Sequence, residues 1–442
     1  MNNFFKKYLI LIINILLNIN LYAVTDLSFS VDSNDLTNAK INCLELIISK
    51  DNNQDLIKFS KTLKYDLEFT DQLELNLKKT ITMPTPEIEK NLFSKDTSLC
   101  LYILDNTNNN INITLKDLSC AKTLYTENIT LNKDNLIKTG HNISAKLLPI
   151  LTGEMPISQY YVAYSKMINN KQKNVCLADY ACNFENTIIS AARTINIAPS
   201  WHTKLPIIYY SQLATEKINL KSFNFSNKNS NTICSYDGIN MQPSFSKDGS
   251  KVALCMSGGK NTEIYLYDAA TNKKLNKKVF KQLTKNNGNN VSPCLLDNGN
   301  LIFCSDFQTG LPQIYLLDIK NNKTTRLTNG TGYCAAPTYC EKTNSITYTR
   351  SVNGTFQLFS LNLSNLENLE EKQLTFNFGN KHEPDISQCG RFVLFSYDFE
   401  YKKGAQTQQI AVLNINSGRI RVLTQTTAPK SFPKWSKTPI IA

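Results

Sequence analysis

Six prolines at near-regular intervals constrain this chain more than any other feature. Pro199, Pro243, Pro293, Pro337, Pro384 and Pro433 stand 44, 50, 44, 47 and 49 residues apart. The second of them opens PSFSKDGSKVAL (243–254), which reads as two short strands joined by a tight Asp-Gly turn. Each unit continues with an apolar strand ending in Asp or Asn, as in IYLYD (264–268), IYLLD (314–318), LFSLN (358–362) and IAVLN (410–414). A Leu-Thr pair follows at Leu283-Thr284, Leu327-Thr328, Leu374-Thr375 and Leu423-Thr424. A period of about 40–50 residues with several strands per unit predicts the blades of a β-propeller, and the count comes to six. The closing FPKWSKTPIIA echoes PSWHTKLPIIYY at 199–210. The last segment is therefore expected to pair with the first unit and close the ring, which removes exposed sheet edges. Trp201, Phe245, Tyr339 and Trp435, each two places after a proline, are expected to fill the gaps between blades.

The residues before this repeat do not repeat. Cys43 to Ile48 and Leu99 to Leu104 are apolar runs of strand length, and Ile111, Ile113 and Leu115 alternate with polar residues. Leu56, Phe59, Leu63 and Leu67 recur at helical spacing, and a second helical pattern runs from Leu136 to Leu151. Gly140 and Pro149 should interrupt that second helix, the proline in its last turn. The chain thus reads as a small N-terminal α/β domain over 24–152, a boundary at TGEMP, and a six-bladed β-propeller over 153–442.

The first residues have another character. Lys6 and Lys7 precede an apolar run from Tyr8 to Leu17, too short to span a bilayer, and a polar stretch then ends at Ala23. This is the pattern of a secretory signal peptide cleaved after about Ala23, and it predicts an exported protein. The 12 cysteines have no CxxC spacing and fall mostly in predicted strands, so they read as buried thiols in preference to disulfides or metal ligands.

Composition narrows the function. The net charge is +12, but lysines are spread evenly with no basic run interleaved with aromatics, so a nucleic-acid groove is not indicated. There are 3 histidines. His141 lies on the second helix, His202 at a strand end and His382 in a loop between units, and none is paired with a serine in a nucleophile elbow. CMSGG at 255–259 departs from GxSxG, and no Walker loop, HExxH or EF-hand is present. The strand-end Asp and Asn recur in every unit, which suits a structural role. No cofactor, metal or catalytic residue is assigned. What remains is binding by the varied polar loops that precede the prolines, such as ICSYDGINMQ (233–242), NNGNNVS (286–292) and NFGNKHE (377–383).

Four features in order resemble the TolB family of envelope proteins: the leader, an α/β domain ending HNISAKLLPILTGE (141–154), the repeated Pro-led hairpin with its Leu-Thr, and a chain closing on FPKWS. The resemblance implies a periplasmic, monomeric, non-enzymatic protein of the Tol-Pal system that supports outer-membrane integrity and constriction at division. It implies that the propeller binds a Pal-like peptidoglycan-associated lipoprotein through Ile239, Asn240, Met241, Gln242, Val291 and Ser292, with His382 and Glu383 as a second set. It also implies linkage to a TolA-like inner-membrane protein through the first mature residues, Val24, Thr25 and Asp26. Two alternatives stay open: a secreted propeller holding a peptide or sugar in its channel, and the propeller relative of a peptidase.

Overall fold

In a computed structural model the described residues run from 42 to 438, apart from 50–52, 81–98, 108, 214–216, 258–260, 269–279, 331 and 403–404. Val24, Thr25 and Asp26, and the leader before them, lie outside the described residues.

The α/β part follows from its alternation of apolar patterns. Strands β1 (Asn42–Ser49), β2 (Leu73–Thr80), β3 (Leu99–Thr107), β4 (Asn110–Asp117) and β5 (Lys122–Thr130) form one sheet in the order β2-β1-β3-β4-β5. The first three are parallel and the last two pair antiparallel. Helix α1 (Gln54–Glu68) starts where the Asn53 side chain accepts the N–H groups of Asp55 and Leu56. Its Leu56, Phe59, Leu63 and Leu67 meet Ile143, Leu147 and Leu148 of helix α2 (Leu136–Thr152) over the sheet. Neither Gly140 nor Pro149 breaks α2. A Cβ on Gly140 would come within 2.8 Å of Thr62 Cγ2, so that glycine is where the two helices touch. Pro149 sits in the last turn, and its carbonyl accepts the N–H of Gly153, which ends the helix at φ 70°.

The repeat region is a β-propeller. Four blades are separate four-stranded antiparallel sheets. They are β13 (Asn240–Phe245), β14 (Lys251–Ser257), β15 (Thr262–Asp268) and β16 (Lys281–Gln282), then β17 (Asn290–Leu295), β18 (Leu301–Ser305), β19 (Gln313–Asp318) and β20 (Lys323–Arg326). The other two are β21 (Cys334–Cys340) to β22 (Ser345–Val352), β23 (Thr355–Asn362) and β24 (Glu371–Gln373), and β25 (Lys381–Ile386) to β26 (Phe392–Lys402), β27 (Ala405–Asn414) and β28 (Ile420–Val422). The remaining strands join in one eight-stranded sheet. In it, the C-terminal β29 (Lys430–Trp435) pairs with β6 (Tyr161–Asn169), which pairs with β7 (Gln172–Asp179), flanked in turn by β8 (Glu185–Ile189). A single parallel pair, Lys173 with Ile195, links β7 to β9 (Ile195–Trp201), which continues through β10 (Ile207–Leu213) and β11 (Ile218–Asn224) to β12 (Asn229–Cys234).

The strands that carry the prolines lie against one another in the order β9, β13, β17, β21, β25, β29, and β29 lies against β9. They therefore surround the propeller axis, and the chain ends close the ring as the sequence echo predicts. Trp201 Nε1 donates to the carbonyl of Lys434 at the closure, 3.2 Å away. Trp201 and Trp435 are buried between blades, while Phe245 and Tyr339 are half-buried. The strand-end Asp and Asn are turn formers. Asn224, Asp318, Asn362 and Asn414 each accept the N–H two residues on, at 2.8 to 3.1 Å. Among the described side chains the eleven cysteines are free thiols, most of them buried.

The two parts are fastened at one end of the propeller. Asp66 on α1 accepts from His141 Nδ1 (2.8 Å), Ser144 Oγ (2.6 Å) and Tyr180 OH (2.7 Å). His141 Nε2 lies 3.2 Å from Asp179 at the end of β7. Asp71 takes Asn414 Nδ2, Ser417 Oγ and the guanidinium groups of Arg419 and Arg421. Phe69 packs between Tyr180 and Phe392, and Glu154 pairs with Arg391.

Candidate partner-binding face

Each axial strand starts from a loop and ends, past its proline, in a turn. The α/β domain docks on the turn end, through Asp179, Phe392, Asn414 and Ser417. The loops before the prolines therefore occupy the opposite end, which the described residues of that domain leave uncovered.

Local chemistry shapes that end. Every residue preceding a repeat proline has a positive φ: Ala198, Gln242, Ser292, Ala336, Glu383 and Phe432 all lie between 51° and 57°. The register with the second strand slips at each of these points, so each is a β-bulge. Proline fits there because the bulge has no ladder partner for an N–H. The bulge turns the preceding side chain sideways, toward the next blade. Gln242 Oε1 accepts the N–H of Ser292 (2.9 Å), and Glu383 Oε2 accepts the N–H of Phe432 (2.7 Å) and the hydroxyl of Ser396 (2.7 Å). The residue after the proline makes a second girdle. Ser244 Oγ accepts from Leu295 N–H at 2.9 Å, and Asp385 Oδ2 from Trp435 N–H at 2.8 Å.

Three residues before each proline the side chain is buried, and it ties the loop behind it. Asn240 donates to the carbonyls of Ile218 (2.9 Å) and Tyr236 (2.6 Å), and Asn290 donates to that of Gly288 (3.2 Å) and to Glu263 (2.9 Å). Lys381 is wholly buried and donates to the carbonyls of Asn377, Phe378 (3.1 Å) and Gly379 (2.8 Å). Burial pulls its ammonium down to about 8. Burial also raises the Glu383 carboxyl, against the donors Ser396 and Phe432 that favour its charge.

The residues expected to meet a partner separate into two groups. Asn240, Gln242, Ser292 and Glu383 are engaged within the ring, where they position the face. Ile239, Met241, Val291 and His382 are half-buried at the loop ends. The N–H of Ile239 donates to Ser257 Oγ at 2.8 Å. His382 packs on Phe356, with ring centroids 5.0 Å apart, and Phe356 packs on Tyr333 at 5.3 Å. The His382 imidazole lies 3.7 Å from Asp398, whose carboxyl it holds below the usual range together with Asn380. Sequence reasoning passed over Phe376 and Phe378, which are exposed in the loop before β25. Their signal was present, since two aromatics stand in an otherwise polar TFNFGN.

Comparison with known proteins places these features in a family. A profile of the TolB β-propeller domain matches residues 151–439. The Tol-Pal system protein TolB of Helicobacter pylori (strain HPAG1) is 28% identical over 287 residues, 60% of this chain and 66% of that protein. The protein of the same name from Francisella tularensis subsp. holarctica (strain OSU18) is 26% identical over 265 residues, 58% of each chain. The chain thus spans less than two thirds of the length of these relatives. The crystal structure of TolB from Acinetobacter baumannii matches with a TM-score of 0.74 at 19% identity, over 90% of this chain and 97% of that one, a likeness of fold.

Proposed function

This chain belongs to the TolB β-propeller domain family, and from that membership we propose that it is a non-enzymatic, periplasmic binding component of a Tol-Pal cell-envelope system. The propeller docks a Pal-like peptidoglycan-associated lipoprotein on the pre-proline end. Met241, Ile239, Val291 and His382 supply contacts there, and Asn240, Gln242, Ser292 and Glu383 hold those contacts in place. Val24, Thr25 and Asp26 open the mature chain after cleavage near Ala23 and link it to a TolA-like inner-membrane protein. The protein acts as a monomer with no cofactor, and the linkage serves outer-membrane integrity and constriction at division. The ring has six blades, with the eight-stranded sheet counted as two, and the α/β domain ends at Thr152.

The observation that carries this reading is the family match across the whole propeller. The pre-proline end, uncovered among the described residues, supports it, because varied loops on a rigid ring are where recognition residues concentrate. The test is calorimetric titration of the chain from Val24 onward with the soluble lipoprotein domain of the same organism. Saturable one-to-one binding is expected, weakened by more than about 1 kcal/mol in Met241→Ala. Absence of binding at tens of micromolar overturns the reading.

A further inference from the structure

We propose that Phe376 and Phe378 form a preorganised aromatic anchor that inserts into an apolar pocket of the protein partner bound on the pre-proline end. The inference rests on the reading above that this end binds a protein. Phe378 is 96% exposed and Phe376 75%, the two most exposed of the large hydrophobic side chains described. Exposure of this kind on a loose loop would mean little. This loop is held at nearly every residue. The carbonyl of Phe378 accepts from both Lys381 Nζ (3.1 Å) and Tyr397 OH (3.0 Å). That of Asn377 accepts from Lys381 and from Gln357 Nε2 (3.0 Å). Asn380 accepts the N–H of Phe356 (2.9 Å) and donates to Asp398 (2.9 Å). Gly379 has φ 80°, and a Cβ there would stand 2.5 Å from the carbonyl oxygen of Asp398. The carbonyls of 377–379 and the Asn380 side chain are engaged, which fixes the loop while both rings are held in water. A partner then gains their burial without the cost of ordering the loop.

Two phenylalanine rings bury roughly 300–500 Å² together, about half of the ~800 Å² that one partner contributes to a stable complex. They form the centre of an interface, and its rim must be adjacent. The row Tyr333, Phe356 and His382 continues from this loop toward the neighbouring blade, where Leu311 is also exposed. The occupant is a protein in preference to a lipid surface. A loop that enters a bilayer is flanked by outward cations, and the one lysine between Leu374 and Glu383 is turned inward onto carbonyls.

The mature chain carrying Phe376→Ser and Phe378→Ser is titrated with the soluble lipoprotein domain beside the unsubstituted chain, with thermal unfolding as a control. Binding at least about tenfold weaker with an unchanged melting temperature is expected. A second variant, Lys381→Met, should weaken binding and speed amide exchange across 376–380, because it loosens the loop and leaves both rings in place. If the unsubstituted chain binds and the double variant binds within about twofold, the anchor is overturned and the binding face stands. If the unsubstituted chain does not bind, the face itself falls, and the anchor with it. Two further outcomes reassign the rings and overturn the proposal. One is ring-dependent sedimentation with vesicles of phosphatidylethanolamine and phosphatidylglycerol, and the other is ring-dependent dimerisation of the chain alone.

Discussion

Glu383 accepts the backbone N–H of Phe432 at 2.7 Å, across the gap between two neighbouring axial strands and 49 residues along the chain. Both residues precede a repeat proline and both have a positive φ. The same bulge that bends the strand therefore aims one side chain at the next strand's free donor. Gln242 and Ser292 repeat the bond at 2.9 Å. A loop position that looks available for recognition is here a staple of the ring.

Glu383→Ala should leave the Ser396 hydroxyl without its acceptor and the Phe432 N–H with only the longer bond to Ser396 Oγ, at 3.1 Å. A loss of about 1–3 kcal/mol is expected in urea unfolding, and Glu383→Gln should restore most of it. An alanine variant that unfolds like the parent while losing the lipoprotein domain would return Glu383 to the contact surface.

His141 joins the two parts of the molecule between Asp66 and Asp179. Burial opposes its charge, but the hydrogen bonds to Asp179 and Asp66 outweigh that cost and raise its pKa to about 9. An unfolded histidine titrates near 6.5. The folded state thus holds the proton more tightly. The resulting stability is fully present below about pH 6.5 and is lost as pH rises through about 9. The pH-dependent part is on the order of 3 kcal/mol. The stability difference between the parent and His141→Gln should therefore be large at pH 6 and shrink toward pH 10 in urea melts. A difference that does not change with pH would show that His141 is neutral in the fold.

Thr375 explains why Leu-Thr recurs. Its hydroxyl donates to Gln357 Oε1 at 2.7 Å and accepts the N–H of Leu358 at 2.9 Å. Thr328 does the same with Gln313 and Ile314, and Thr284 with Glu263 and Ile264. Thr375→Val keeps the shape and strands two buried polar groups, so it should cost about 1–3 kcal/mol in urea unfolding. Thr324→Val on the exposed strand β20 should change stability by less than about 0.5 kcal/mol. Equal effects at the two sites would remove the hydroxyl from the explanation.

Much of this was readable along the chain. The prolines, the Asp-Gly turns, the strand-end Asp and Asn and the Leu-Thr pairs are local devices. Each acts on backbone groups within a few residues or on the adjacent strand, so its spacing writes itself into the sequence. The helix pattern Leu56, Phe59, Leu63, Leu67 and the closing echo at FPKWS are of the same kind. Gly140 was misleading for the opposite reason. It reads as a weak point within α2, and only Thr62 on a different helix shows that its missing Cβ is a contact.

The roles of the loop residues could not be read in this way. Asn240, Gln242, Glu383 and Lys381 look like solvated polar residues in sequence. Their partners lie 22 residues back at Ile218, 50 ahead at Ser292, 49 ahead at Phe432 and in the loop's own carbonyls. In the sequence His141 is only a residue on the second helix, and its charge depends on carboxylates 75 and 38 residues away. Periodicity determines which segments become strands, because burying alternate side chains is a property of each segment alone. Which polar groups are consumed inside the ring, and which aromatics are left facing water, depends on closing the blades around one axis. That closure brings distant donors within 3 Å of acceptors whose spacing in the chain carries no trace of the pairing.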